Sequence, residues 1–295
     1  MRPLIDADIL LHEIGWSGEF KDKDTGEPVL LPFDKVADML DDKIMLICED
    51  VEATTEPILY ITNSLWLTQQ QNKRRAKEGL EPKEFVENFR YAIAKTRPYK
   101  GNRNNPKPFH FYNLISYMIA NYEVVVSEDG LEADDMICIE QSKSKDTIIC
   151  SRDKDLRICP GWHFSWECGG QKAIGPHFTD YVGSLTKITK ESKDEKTGKI
   201  KVDYDILGYG IKFFYYQMLV GDTADHIPGL PKAGKAFAFN LLDPLNTEEE
   251  IFLAVKKAYI DTLGKEKAKE YFMEQANLLW MVQEKGKRYE IYSSK

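Results

Sequence analysis

Apolar and polar positions in the first half of the chain follow two alternating periods. Short continuous apolar runs at 3–5, 58–61, 124–126 and 147–150 have the pattern of strands buried on both faces. Between them, residues 33–40, 112–122 and 131–141 carry apolar side chains at helical spacing. Strands that alternate with helices need crossover connections. The pattern therefore predicts an α/β core from residue 1 to about 165, with a mostly parallel central sheet flanked by helices. Residues 162–166 read as an edge strand. Residues 186–201, rich in Lys, Glu, Thr and Gly, read as a solvated excursion, either a polar loop or a β-hairpin. From residue 208 the pattern is helical, over 211–220, 235–242, 248–263 and 265–282, with a Gly/Pro-punctuated turn after the first of these. With no internal repeat and no long low-complexity linker, the parts are expected to pack as one body.

Composition narrows the picture in three ways. The 295 residues can bury a substantial core, and 42% apolar content argues against wholesale disorder. No apolar run approaches the roughly 20 residues of a membrane span, and the chain opens into a strand-like segment rather than a signal peptide, so no membrane association is expected. The five cysteines are an odd number with no Cys-x-x-Cys pair, which predicts reduced thiols and a cytoplasmic setting.

The net charge of −8 would, as a sum, argue against a nucleic-acid partner. Its distribution reverses that reading. Residues 64–110 hold eleven basic and four acidic side chains, a local charge of +7, so the remainder carries −15.

Four groups of acids fall at matching topological positions. Asp6 and Asp8 end the first strand. Glu132, Asp134 and Asp135 open a helix, where the dipole tolerates negative charge. Asp153 and Asp155 follow the strand ending near Cys150, and Asp222 and Asp225 follow an apolar helix. Any single pair reads equally well as turn formers or helix caps. Three of the four groups lie at a strand end or at the start of the helix that follows one, so they can share one edge of a parallel sheet, where such sheets bind ligands. Nine carboxylates there would repel one another unless hard divalent cations such as Mg²⁺ or Mn²⁺ bridged them, and the lack of His and Cys disfavours zinc. Cys159, His163, Cys168 and His177 have no usual zinc spacing.

The segments Gly130-Leu131-Glu132-Ala133-Asp134-Asp135, Ser151-Arg152-Asp153-Lys154-Asp155-Leu156 and Gly221-Asp222-Thr223-Ala224-Asp225-His226-Ile227-Pro228-Gly229 resemble the three acidic motifs of the 5′-nuclease superfamily. That group holds flap endonucleases and 5′→3′ exonucleases, and the likeness is to its phage and bacterial types. Tyr99-Lys100-Gly101-Asn102-Arg103 resembles the group's basic motif, and the likeness runs from about Asp6 to about Leu242. The resemblance implies a PIN-like nuclease core over 1–205 with a basic arch inserted at about 64–110, followed by a helix–hairpin–helix region over 206–295. It also implies DNA hydrolysis at 5′ ends or flaps with two Mg²⁺ or Mn²⁺ ions. Asp6, Glu132, Asp134 and Asp135 would hold one ion, and Asp153, Asp155, Asp222 and Asp225 the second. Lys100 and Arg103 would act catalytically at the scissile phosphate.

The same resemblance assigns DNA contacts to Lys73, Arg74, Arg75, Lys77, Arg90 and Tyr99 in the arch, read as two helical pieces at 73–77 and 84–95. It assigns further contacts to Gly229, Lys232, Gly234 and Lys235 in the hairpin, where a K⁺ could bind. A monomer is expected, in a host cytoplasm if the chain is phage-encoded. Where the family usually has another acid, this chain has Asn63: the first metal binds more weakly, the substitution inactivates, or a neighbouring acid compensates. Asp8 reads either as a metal-site neighbour or as a cap of the next segment. Asn63 keeps open a catalytically weakened DNA-structure-binding protein, and a PIN-like ribonuclease is a third reading.

Overall fold

A computed structural model describes residues 1–103, 105–193 and 200–292. The chain begins with β1 (Arg2–Asp6) and α1 (Ala7–Ser17), then a small hairpin of β2 (Glu19–Lys21) and β3 (Pro28–Leu30), and α2 (Phe33–Asp50). Next come β4 (Ile58–Ile61), α3 (Leu65–Lys77), α4 (Phe89–Ile93), α5 (Phe111–Asn121) and β5 (Glu123–Val126). They are followed by α6 (Ala133–Lys143), β6 (Thr147–Cys150), β7 (Gly161–Ser165) and β8 (Ile174–Thr179).

These strands form one sheet in the order β5-β4-β1-β6-β7-β8, parallel except for the β7–β8 pair. The buried runs explain its two-sided character. On β1, Leu4 joins the core on one face and Ile5 the core on the other; β4 divides Ile58 and Tyr60 from Leu59 and Ile61 in the same way. One core is closed by α1, α2 and α5, and the other by α6 and the C-terminal helices. Residues 162–166 are not an edge. β7 pairs with β6 and β8 and leaves β8 outside it, because the chain returns antiparallel after the turn at 168–171.

The polar excursion is a long antiparallel hairpin of β9 (Leu185–Lys193) and β10 (Ile200–Gly208); the tip of the segment read as solvated, 194–199, lies outside the described residues. Four helices follow: α7 (Gly210–Val220), α8 (Lys235–Leu242), α9 (Glu248–Leu263) and α10 (Lys265–Leu279). α9 begins where its sequence requires, since Thr247 accepts from the Glu250 amide and Glu250 accepts from the Thr247 amide. No described helix is long and apolar enough to cross a membrane.

Two further expectations change. The predicted helix over 84–95 shrinks to α4. After Pro82 the chain runs back along α3, with Lys83 exchanging hydrogen bonds of 2.8 Å with the Asn72 side chain, which holds the segment extended. The thiols are not all reduced either. Cys138 on α6 and Cys159 form a buried disulfide, while Cys48, Cys150 and Cys168 are free. Packing of α6 beside β6 and the 3₁₀ turn Asp155–Ile158 brings the two Cα atoms within 6.0 Å despite 21 residues of separation. Nothing in the local spacing signals this pair.

Candidate active site

β1 has β4 on one side and β6 on the other, so the crossovers leave it in opposite directions and a crevice opens beyond its carboxyl end. Asp6 lies at that end, Thr62 and Asn63 follow β4, Ser151 and Asp153 follow β6, and Glu132 and Asp134 start α6. A cleft of about 900 Å³ collects Asp6, Asp8, Glu132, Asp134, Asp153, Asp155 and Asp225, together with Asn63, Lys100 and Arg103. A neighbouring cleft of about 1120 Å³ shares Asp153, Asp155 and Asp225, and adds Lys154, Asp222, Gly234 and Lys235.

The loop bearing Asp222 and Asp225 is fixed by a close backbone crossing. A Cβ on Gly229 would lie 2.2 Å from the Gly221 nitrogen, and the two glycines have φ of 67° and 77°. The Asp222 and Ile227 backbones close the loop with hydrogen bonds of 2.8 and 2.7 Å. Lys100 also occupies the left-handed region, at φ 53°, in a turn where its amide donates to the Asp225 carbonyl at 3.0 Å. That conformation costs a non-glycine residue about 1 kcal/mol, and it sets the ammonium among carboxylates.

Electrostatics separate these acids from ordinary surface carboxylates. Asp6 is 2% exposed; Ser151 donates to its Oδ2 at 2.8 Å, and its Oδ1 is buried with no hydrogen-bond partner. Burial, then the charges of Asp8 and Asp153, push its carboxyl up to about 8. Asp153 is pushed up to about 6 by burial and by Asp155. Asp134 is raised well above the carboxylate range by burial, then by Asp6 and Asp153. Burial also raises Asp8, against hydrogen bonds of 3.2 Å from the Thr62 amide to both its oxygens.

Cations of the chain itself thread between the remaining acids. Lys100 pairs with Glu132, Arg103 with Asp225, and Lys154 bridges Asp155 and Asp222. Among the described residues, no three His, Cys, Asp or Glu side chains stand as a preformed metal site. Bare carboxylates repel, and the interleaved lysines and arginine occupy the spaces between them. The donor set nonetheless suits a hard divalent cation: oxygens only, several carboxyls held against their charge, and an orphaned Asp6 oxygen.

Several assignments need correction. Asp135 lies outside the cleft at 0% exposure, and its oxygens accept from Arg90 (2.8 Å to each), from the Val282 amide (2.9 Å) and from the Glu132 amide (3.1 Å). With both oxygens engaged in this way, Asp135 is an anchor for α6 rather than a metal ligand. Arg90, also 0% exposed, donates further to the Leu278 and Trp280 carbonyls, so it does not face DNA. Tyr99 is 3% exposed, and its hydroxyl lies 3.0 Å from Glu132 and 2.9 Å from Asp225, which positions those acids instead of stacking on a base. Gly229 spends its amide on Gln275 at 3.0 Å. Arg75 stays among the arch cations: its Nε donates to the Glu81 carbonyl at 2.7 Å, which engages one of its three guanidinium nitrogens.

Other assigned residues are exposed. Lys73, Arg74 and Lys77 lie on the last turns of α3, Lys232 and Gly234 in the hairpin, and Lys235 pairs with Asp205. Asn63 Oδ1 accepts from the Ser64 amide at 2.9 Å and the Thr68 hydroxyl at 3.3 Å, so it braces the start of α3. Lys154 escaped the sequence reading, although its place between Asp153 and Asp155 was a legible signal.

The chain is similar to two curated proteins of Buchnera aphidicola. The 5′-3′ exonuclease of Buchnera aphidicola subsp. Baizongia pistaciae (strain Bp) is 30% identical over 169 residues, covering 54% of this chain and 48% of the relative. That of subsp. Schizaphis graminum (strain Sg) is 31% identical over 179 residues, covering 58% and 53%. The chain thus spans about half the length of the curated relatives it matches. Both bear out the resemblance to the 5′-nuclease superfamily. No family model matches. Similar solved structures include the T5 D15 protein co-crystallised with metal ions, 13% identical with TM-score 0.43, covering 95% of this chain and 86% of that one. The catalytic core of Rad2 in complex with DNA substrate is 11% identical with TM-score 0.44, covering 91% and 68%.

Proposed function

We propose that this chain is a divalent-cation-dependent 5′-nuclease, acting on DNA as a 5′→3′ exonuclease and flap endonuclease. The observation that carries this reading is the cleft in which Asp6, Asp134 and Asp153 face one another with raised proton affinities. Asp6, Glu132 and Asp134 would hold one ion, and Asp153, Asp155, Asp222 and Asp225 a second. Bound there, Mg²⁺ or Mn²⁺ would supply Lewis acidity, lowering the pKa of water and neutralising charge on the phosphate. Lys100 and Arg103 exchange their carboxylate partners for the scissile phosphate, Arg103 with a guanidinium suited to two parallel hydrogen bonds. Tyr99 keeps Glu132 and Asp225 in register while these pairs open.

The basic stretch at 64–110 holds the single strand, with Lys73, Arg74 and Lys77 on phosphates. Within the C-terminal region, a helix–hairpin–helix around Lys232, Gly234 and Lys235 grips the duplex, where a K⁺ would assist. Replacing Lys73, Arg74 and Lys77 together by Ala is expected to lower the slope of log affinity against log salt by about 2, at roughly 0.7 per single-strand phosphate contact. Fluorescence titration of a 5′-flap oligonucleotide at several salt concentrations measures it. An unchanged slope takes α3 out of the DNA path.

The deciding assay uses 5′-labelled flap and blunt DNA, with matched RNA, in Mg²⁺ or EDTA. Cleavage of the DNA substrates in Mg²⁺, absent in EDTA, is expected, and cleavage confined to RNA would sink the reading. A second reading, a DNA-structure-binding protein with weakened catalysis, is favoured by Asn63, which brings no charge and spends its oxygen on Ser64 and Thr68. Tight flap binding without cleavage selects it.

A further inference from the structure

Between α9 and α10 lies another concavity, which shares no lining residue with either acidic cleft. It measures about 260 Å³ and is almost wholly apolar. Phe252 and Tyr259 of α9, Ala268 and Phe272 of α10, and Ile291 beyond them form its floor and walls. The only charged groups on its lining are Lys256, Lys265 and Lys269, all exposed.

These lysines differ from their neighbours. Lys257, one residue on, pairs with Asp261, and Glu270, one residue beyond Lys269, pairs with Lys95. Asp261 of α9 and Glu270 of α10 are thus spent on other cations. Among the described residues Lys256, Lys265 and Lys269 make no ion pair, in a chain with a net charge of −8; Lys256 instead lies 5.5 Å from the Phe252 ring centroid. An apolar slot ringed by unpaired cations is complementary to an apolar side chain flanked by carboxylates.

We propose that this groove docks an acidic peptide segment of a partner protein, with a large apolar side chain in the slot and carboxylates on Lys256, Lys265 and Lys269. The groove offers little for nucleic acid, since the lining lacks polar groups to read base edges and its phenylalanines are buried rather than presented as stacking faces. Its narrow concave form fits one or two side chains better than a lipid surface. The site would bring a partner to the nuclease without competing for its substrate.

The test is fluorescence anisotropy of a labelled synthetic peptide, rich in aspartate around a central Phe-Leu pair, against the full chain. Saturable binding is expected, weakened about tenfold or more by Lys256→Glu/Lys269→Glu together. Binding should vanish when the Phe-Leu pair becomes Ser-Ser, and should persist in saturating flap DNA. Both substitutions are on exposed side chains, so the double variant should keep wild-type thermal unfolding and cleavage. Failure of the peptide to bind, equal binding of the Ser-Ser peptide, or displacement by DNA would overturn the proposal. So would stronger recruitment to anionic phospholipid vesicles than to the peptide.

Discussion

Replacing Arg90 by methionine is expected to destabilise the protein by about 3–5 kcal/mol, the range for breaking a buried ion pair from one side. Asp135 would keep a charge at 0% exposure with no cationic partner, and the Leu278 and Trp280 carbonyls would lose a donor. Burial alone would raise the Asp135 carboxyl, but Arg90's charge and hydrogen bonds outweigh it and hold the group below its ordinary range. Asp135→Asn should cost less, because Arg90 would keep Glu132 at 3.6 Å and the Leu278 and Trp280 carbonyls as partners for its charge. The double substitution should be less destabilising than the sum of the two single ones. Urea denaturation of the four proteins measures this, and a loss below about 1 kcal/mol for Arg90→Met would refute it. The same pair also ties the edge of the cleft to the core. Asp135 caps the Glu132 amide and accepts from Val282, so one buried ion pair joins α4, the start of α6 and the chain after α10.

Asp134→Asn is expected to act in opposite directions on activity and stability. Cleavage should fall by about a thousandfold or more if the carboxylate holds a cation at the phosphate. Stability without divalent cation should rise at pH 8, because a carboxyl forced to ionise beside Asp6 and Asp153 is removed. The sign follows from proton linkage. A carboxyl whose folded-state pKa lies above the unfolded value binds its proton more tightly in the native protein. Asp6, ordinarily near 3.8 and here about 8, therefore contributes stability that is complete below about pH 4 and is lost as the pH rises to about 8. Thermal unfolding in EDTA should show wild-type stability falling across that window and a shallower fall in Asp134→Asn. Identical profiles would remove Asp134 from the coupled acids. At pH 8, adding Mg²⁺ should raise the wild-type unfolding temperature more than that of the variant.

These two residues mark where the sequence was legible and where it was not. Asp134 could be read because its chemistry is local: an acid at a helix start, in a chain whose strands and helices alternate. The parallel sheet was legible for the same reason, since β4 and β6 are unbroken apolar runs that only a two-faced burial explains. Asp135 sits one residue further along the same motif, and there the reading failed. On a helix, adjacent positions point about 100° apart, so one carboxyl enters the cleft while the next enters the core. Whether that second position meets solvent, a cation or an arginine depends on what packs there, and Arg90 arrives from 45 residues upstream.

What the sequence by itself determined is the order of the elements and the convergence of Asp6, Glu132, Asp134, Asp153 and Asp155 at one sheet edge. Periodicity and strand-end position are local properties and suffice for both. Only the tertiary structure decided which of the neighbouring groups face the cleft. It turned Arg90, Asp135 and Tyr99 inward and bonded Cys138 to Cys159. Each of those outcomes is a contact between distant or oppositely facing segments, set by how helices pack on the sheet, and no residue spacing along the chain encodes it.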